Sequence, residues 1–217
     1  MIKRFDDISG IYIEKIEGQE RLAFSTSDTV DFYDLTELAE DGGYKGAIIR
    51  FYDFSNGKVY TPFERKRNTV YGNPVYSDGF CYFLRADYDE QVVQLIRYYP
   101  EKKPEVVKDF SINDVDLYNL MILGEEIYVV SQDDKFTCYY PEEFSFSLKN
   151  NERVVLISGN TVYCEEWIEE GWDDEKECRT EDYSCYEKIN VRDLSGNLLS
   201  EEKGTLVISN DGIWWIA

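Results

Sequence analysis

The side chains that could carry chemistry in this sequence are carboxylates, aromatic rings and thiols, because the chain of 217 residues contains no histidine. Without histidine, the catalytic arrangements that pair a serine or cysteine with a histidine base are excluded. The five cysteines include no CxxC pair, and zinc sites in proteins use such pairs or histidine. The sequence therefore predicts no metal site and no cofactor.

The odd number of cysteines favours free thiols that behave as small buried hydrophobes in a reducing compartment. Cys178 and Cys185 pair in the alternative interpretation, which needs an oxidising compartment. The first residues lack the apolar core of a secretory signal, and no run approaches the roughly 18 apolar residues of a membrane span. We therefore expect a cytoplasmic protein.

Acidic residues dominate the charge of the chain, since 44 Asp and Glu against 23 Lys and Arg give a net charge of −21. A field of this sign repels nucleic acids and anionic membranes, so neither is an expected partner. A basic protein partner fits the charge, although solubility alone also explains it. Glycoside hydrolysis needs a pair of carboxylates, and with so many acids some pair is close by chance, but no motif identifies a catalytic pair. We predict a protein that is not an enzyme.

Two stretches exceed what a compact hairpin needs, and long connections on a rigid scaffold are where binding residues concentrate. They are residues 35–46 and residues 165–184, and the second combines two tryptophans with nine or more acids. Aromatic anchors within a charged rim are typical of protein interfaces. The alternative for the second stretch is a solvated acidic hairpin whose tryptophans pack on the rim. The predicted binding residues are Tyr44, Trp167, Trp172, Asp173, Asp174 and Tyr183.

Two kinds of hairpin alternate along the chain. One kind is an alternating strand followed by a turn that contains Gly or Pro, and it recurs at residues 4–13, 50–60, 97–101, 138–142 and 189–199. The other is an apolar strand, a polar turn, and then an apolar residue that an aromatic usually follows. It recurs at residues 22–30, 74–82, 121–128, 156–163 and 207–214. Repeats of this length with four strands each predict an array of small sheets.

The pattern resembles that of the β-propellers, in which blades of four antiparallel strands surround a central channel. The resemblance implies a single all-β domain over residues 1–217 with five blades, the alternative being a β-sandwich. The blades are expected at about residues 20–67, 73–110, 119–150 and 153–203, with a fifth that joins residues 205–217 to residues 2–17. The Gly-His dipeptide of the WD-repeat family is absent, so no functional residue is transferred from a family.

Several local expectations follow from the hairpin alignment. Gly10 and Gly57 are expected at turn positions with positive φ. Residues 212–217 are expected to pair antiparallel with residues 2–7, which would close the ring. Residues 35–41 are expected to form one or two helical turns. The aromatic residues at the end of the second kind of hairpin are expected in the core or between blades; they are Tyr82, Tyr128, Tyr163 and Trp214.

The function that best fits these features is binding of a protein partner, which is expected to be basic, through connections on one face. The first alternative is a lectin-like protein that stacks aromatic rings on a carbohydrate, and the second, less favoured, is a glycoside hydrolase. Salt distinguishes the first two, because binding through charge weakens as ionic strength rises and stacking on sugars does not.

Overall fold

Strands dominate the computed structural model, which describes residues 1–124, 126–173 and 176–217. The prediction of an all-β fold is confirmed. One helix of ordinary length, α1 (Phe32–Glu40), interrupts the strands. No helix in these described ranges is both long enough and apolar enough to cross a membrane.

The first two sheets are antiparallel and are built from consecutive strands. The first sheet contains β1 (Glu14–Lys15), β2 (Leu22–Thr26), β3 (Ile49–Asp53) and β4 (Lys58–Tyr60). The second sheet contains β5 (Thr69–Tyr71), β6 (Val75–Ser77), β7 (Phe80–Asp87), β8 (Val92–Tyr98) and β9 (Glu105–Ser111). Both β5 and β6 pair with β7, and Pro74 lies between them. Since proline has no N–H for the ladder, the innermost strand of this sheet is split in two.

The remaining sheets are also antiparallel meanders. The third sheet contains β10 (Met121–Leu123), β11 (Tyr128–Gln132), β12 (Lys135–Tyr140) and β13 (Phe144–Ser147). The fourth sheet contains β14 (Glu152–Ser158), β15 (Thr161–Asp173), β16 (Cys178–Asp193) and β17 (Leu198–Lys203). The fifth sheet is a hairpin of β18 (Leu206–Ile208) and β19 (Trp214–Ile216). None of the sheets joins another by strand pairing within the described chain.

The predicted pairing of residues 212–217 with residues 2–7 is wrong. Residues 1–13 form no strand, and the N–H of Asp6 donates instead to the carbonyl of Gly57 at 2.9 Å. The ring of Phe5 packs on Tyr52 and Phe54 of the first sheet, with centroids 5.2 and 5.4 Å apart. The N-terminal segment therefore satisfies its aromatic and polar groups on the first sheet, and the first sheet itself begins at residue 14 rather than near residue 20.

Positive φ at the two predicted glycines is confirmed, with values of 73° at Gly10 and 74° at Gly57. Gly57 turns the chain between β3 and β4, as expected. Gly10 lies in the N-terminal segment that forms no strand, so its backbone conformation matches the prediction while the expected hairpin is absent.

The aspartates that precede two of the hairpin turns, Asp53 and Asp193, have a structural role. Asp53 accepts hydrogen bonds from the N–H and hydroxyl of Ser55 at 2.9 and 2.6 Å and from Arg21. The hydrogen bond from Arg21 lowers the pKa of Asp53 to about 2, despite burial, and Ser55 adds to the effect. Asp193 caps the turn of the fourth sheet in the same way, through Ser195 and Asn197. Both are Asx turns, which hold tight reversals of the chain.

Three hydrophobic clusters lie between successive sheets. The first and second sheets enclose Phe51, Phe83 and their neighbours. The second and third sheets enclose Leu84 and Ile122 together with Phe32 of α1, and the third and fourth sheets enclose a further cluster.

The fifth sheet contacts the fourth and the first. The carboxylate of Glu165 in β15 accepts hydrogen bonds from the hydroxyl of Thr205 at 2.7 Å and the N–H of Leu206 at 2.6 Å. On the other side, a Cβ placed on Gly212 would lie 3.7 Å from the Cα of Gly18, which lies between β1 and β2. The five sheets are thus contiguous through packing.

Candidate functional site

The longest strands of the molecule, β15 and β16, extend beyond their neighbours. The pairing with β14 ends at Glu166 and the pairing with β17 ends at Lys188. Residues 167–173 and 176–187 continue as a two-stranded hairpin, and we call residues 167–187 the arm. The arm contains nine acids and two bases, so its net charge is negative, and its described residues are all exposed or half-buried.

Glu166 anchors the base of the arm. Its carboxylate accepts hydrogen bonds from Asn190 at 2.6 Å and from Lys149 at 2.9 Å, and Lys188 lies 3.2 Å away. Burial alone would raise the pKa of Glu166, but these three partners outweigh it and lower the pKa to about 2. The carboxylate is therefore charged at physiological pH and holds the arm to the start of β14.

A buried ion pair lies directly beneath this anchor. Arg192 donates to both carboxylate oxygens of Glu152 at 2.9 and 3.0 Å, and Asn190 donates to Glu152 at 2.9 Å. The amide nitrogen of Asn190 thus bridges the buried pair and Glu166. A charge removed from such a network leaves its partner buried and unpaired, so the base of the arm is held in one geometry.

A bulge at Gly171 re-aims the outer part of the arm. The register shifts between Glu170 and Trp172, and Gly171 has a φ of 73°. Glu170 pairs with Ser184 and Trp172 with Arg179, so Gly171 alone lies opposite residues 180–183. The contact between the rings of Trp172 and Tyr183, whose hydroxyl donates to Glu169, places Trp172 on the face of Glu169. Strand alternation gives Trp167 the same face as Glu169.

Aromatic side chains are gathered on this one face of the arm. The hydroxyl of Tyr183 donates to Glu169 at 2.5 Å, and the rings of Trp172 and Tyr183 are 6.4 Å apart. Trp167 and Trp172 keep 42% and 43% of their surface exposed. The guanidinium of Arg179 lies 4.3 Å from the centroid of the Tyr183 ring, so this ring already makes a cation–π contact within the arm.

The structure brings two of the predicted binding residues into contact, Trp172 and Tyr183, and Trp167 lies two residues before Glu169 on the same face. Asp173 lies at the end of β15, where its carboxylate pairs with Lys176 at 2.8 Å. Asp174 lies outside the described residues. The stretch between residues 165 and 184, predicted as a connection, is a hairpin extension with exposed tryptophans.

Tyr44 is not a surface residue, which corrects its predicted role. Its ring is buried in the cluster that contains Phe32 and Leu35, and its hydroxyl donates to Asp28. Burial raises the pKa of Tyr44, and the bond to Asp28 raises it further. The residues after α1 run beside the second sheet, where Asn68 accepts the N–H of Tyr44 at 2.7 Å.

A cavity of about 1380 Å³ is lined by residues from all five sheets. Its lining includes Glu14 of β1, Tyr76 of β6, Leu123 of β10, Glu152 of β14 and Leu206 of β18. Two buried polar atoms in its lining residues have no partner in the described chain. They are Oδ1 of Asp28 and Nε1 of Trp214.

A series of contacts beside this cavity connects α1 to β14 of the fourth sheet. Tyr33 of α1 packs on Tyr118 with centroids 5.9 Å apart, and Asn119 donates to the carbonyl of Gln132 at 3.1 Å. Gln132 in turn bonds Val154 of the fourth sheet in both directions, at 2.8 and 3.1 Å. Sequence reasoning missed Tyr33 and Tyr118, although a tyrosine among acids in a connection is a signal that could have found them.

The arrangement is suited to binding through rings and carboxylates. Among the described residues, no group of three or more cysteine or acidic side chains could hold a metal ion. The exposed aromatic face of the arm and the rim of the cavity are the two surfaces that offer both kinds of group. Neither a family model, nor a curated protein, nor a solved structure matches this chain.

Proposed function

We propose that the protein is a non-enzymatic binding module whose arm holds a basic segment of a partner protein. The observation that carries this proposal is the aromatic face of the arm, where Trp167 and Trp172 are exposed on a hairpin rich in acids. Tryptophan contributes more binding energy at interfaces than most residues, and a ring of acids around it selects positive charge.

The arm itself contains an example of the contact that a partner would make. The guanidinium of Arg179 lies over the ring of Tyr183, which also donates to the carboxylate of Glu169. A lysine or arginine of the partner finds the same combination of ring and carboxylate at Trp167 and Trp172. Cation–π contacts contribute about 0.5–2 kcal/mol each, more when water is excluded. The net charge of −21 also speeds the approach of a basic partner.

Replacing Trp167 and Trp172 together by alanine is expected to weaken partner binding by at least about 30-fold, since a hot-spot tryptophan contributes 2 kcal/mol or more. The partner is captured from source lysate at low salt and eluted with salt, and its Kd is then measured by calorimetry. Tyr186→Ala is the matched control, because Tyr186 lies on the opposite face of the arm and donates there to Glu170. Equal affinity of the double variant and the control would contradict the proposal.

We further propose that the five sheets are the blades of a five-bladed propeller whose fifth blade has two strands. The cavity lined by the first strand of each sheet supports this arrangement, as does the packing of successive sheets against one another. The contact between Gly18 and Gly212 joins the last sheet to the first and would close the ring by packing instead of hydrogen bonding.

Cysteines at positions 18 and 212 are expected to form a disulfide under mild oxidation. A Cβ at Gly18 would lie 3.9 Å from the Cα of Gly212, within the reach of this bond. Peptide mapping by mass spectrometry measures the link, and a pair at positions 18 and 79 is the control, since a Cβ at Gly79 has no neighbour within 4 Å. Failure of the first pair to link, with all thiols free, would argue against the ring.

A carbohydrate in the central cavity is the second candidate ligand. The observation that favours it is the pair of unpartnered buried atoms, since the Asp28 oxygen accepts and the Trp214 nitrogen donates, and sugar hydroxyls do both. Binding of a sugar that is insensitive to salt and unchanged by the arm variants would support this candidate over a basic partner.

A further inference from the structure

The outer edge of the fifth sheet has hydrogen-bonding groups that its own hairpin does not use. Thr205 and Ala217 bond to each other in both directions, with each N–H 3.0 Å from the opposite carbonyl oxygen. Bonded and non-bonded pairs alternate along an antiparallel ladder. The register therefore directs the backbone N–H and C=O groups of Trp214 and Ile216 away from β18.

The two edges of this hairpin differ. On the β18 side, the outward N–H of Leu206 is satisfied by the carboxylate of Glu165. On the β19 side, the backbone groups of Trp214 and Ile216 have no hydrogen-bond partner among residues 1–124, 126–173 and 176–217. An edge of this kind is a template for another strand.

The side chains around the open edge are apolar and exposed. Trp215 keeps 61% of its surface exposed and Ile216 46%, and Val207 and Ile213 are exposed beside them. The first, third and fourth sheets each have four strands, whereas the fifth has two. A strand added beside β19 would both pair its backbone and cover this apolar surface.

Charge around the hairpin indicates what kind of strand fits. β17 is the outer strand of the adjacent fourth sheet, and its Glu202 and Lys203 are exposed, while its Glu201 lies 3.5 Å from Lys188. The turn of the hairpin itself carries Asp211, also exposed. The acids favour an incoming segment with lysine or arginine, and the net charge of −21 disfavours a second copy of this chain.

We infer that the edge of β19 binds an extended segment of a partner protein that alternates apolar and basic residues. The segment adds as a strand, with its backbone paired to Trp214 and Ile216 and its apolar side chains packed on Trp215. The inference rests on the proposed basic partner and adds a contact separate from the arm.

Ile216→Pro tests the backbone contact. The N–H of Ile216 points outward, so proline removes a donor from the edge while the bonds between β18 and β19 remain, and proline is tolerated on such edges. The probe is a short synthetic peptide that alternates valine and lysine, and binding is followed by calorimetry. We expect at least a tenfold weaker Kd for Ile216→Pro and an unchanged Kd for Ile216→Val, which keeps the N–H and a β-branched side chain.

Amide hydrogen exchange of the wild-type protein supplies a second readout that needs no variant. Addition of the peptide is expected to slow exchange at the N–H groups of Trp214 and Ile216. The N–H of Leu206, already bonded to Glu165, is expected to change little. Slower exchange at the first two positions, together with the loss in Ile216→Pro, supports strand addition.

Three results would overturn the inference. The first is unchanged exchange at Trp214 and Ile216 when the peptide binds. The second is peptide binding that survives in Ile216→Pro but is lost when Trp167 and Trp172 are replaced, which would place the peptide on the arm alone. The third is self-association that strengthens with salt and disappears in Ile216→Pro, which would make a second copy the occupant. If the arm bound no basic partner while the peptide still bound at β19, the proposed function of the arm would be rejected and the inference about the β19 edge would stand.

Discussion

Phe51→Ala is expected to lower the free energy of unfolding by about 3–5 kcal/mol, the usual range for a large aromatic residue removed from a core. Phe51 is fully buried in β3, and its ring lies 4.9 Å from the ring of Tyr98 and 5.6 Å from that of Phe83. It fills the space between the first and second sheets, so alanine leaves a cavity that two rigid sheets collapse into only partly. Urea unfolding followed by circular dichroism measures the change.

Phe54→Ala provides the matched control for this substitution. Phe54 follows the same strand, but its side chain is exposed and packs only at the surface, against Phe5. A loss below about 1 kcal/mol is expected there, because surface substitutions have small effects. Equal losses at the two positions would show that the cluster between the sheets does not hold them together.

Gly46→Ala is expected to lower the free energy of unfolding by about 2–5 kcal/mol. A Cβ at this position would lie 1.8 Å from the carbonyl oxygen of Lys66, and backbone atoms must move to admit it. Gly46 also has a φ of 90°, a conformation that alanine adopts only with strain. The residue lies where the segment after α1 passes the start of the second sheet, and the N–H of Ala47 donates to Thr69 there at 2.8 Å. Thermal and urea unfolding measure the loss.

Gly79→Ala separates the two causes of that loss. Gly79 has a similar φ of 82°, but a Cβ there would meet no atom within 4 Å. Only the backbone strain remains, for which about 1–2 kcal/mol is expected. If both variants lost the same stability, the close approach to Lys66 would contribute nothing.

Sheets two to four could be predicted from local signals alone. Alternating apolar residues and turns such as Asp78-Gly79 and Ser195-Gly196 mark reversals of the chain, and apart from the pairing of β5 with β7 the strands in these sheets pair consecutively. The helix was predicted too short, as residues 35–41. The signal for its true start is Asp31, whose carboxylate accepts the N–H of Asp34 at 2.8 Å as an N-cap.

What the sequence did not reveal depends on distant contacts. The arm is predicted as a long connection with an acidic hairpin as the alternative, and the structure shows a hairpin whose ladder continues from a buried base. Tyr44 is predicted as a binding residue because it lies in the long connection 35–46, whereas packing with Phe32 and Leu35 and contact with Asn68 bury it. The position of residues 2–13 depends on a few hydrogen bonds and ring contacts with the first sheet. No local sequence pattern predicts these contacts.

The aromatic face of the arm was foreseen in part. Trp167, Trp172 and Tyr183 are predicted from composition, and the structure places Trp172 and Tyr183 in contact where the register shifts at Gly171. A single glycine in an acidic stretch is a weak signal for a bulge. Strand alternation alone would have separated the two tryptophans.

The construction of every sheet from neighbouring strands has a consequence for how the chain folds. Each of the first four sheets pairs residues that are close in sequence, the widest gap between paired strands being the one that holds α1. Folding rates rise as the mean sequence separation of contacts falls, because less loop entropy is lost before contacts form. We therefore expect this protein to fold faster than β-sandwiches of its size, with sheets forming one after another as the chain leaves the ribosome.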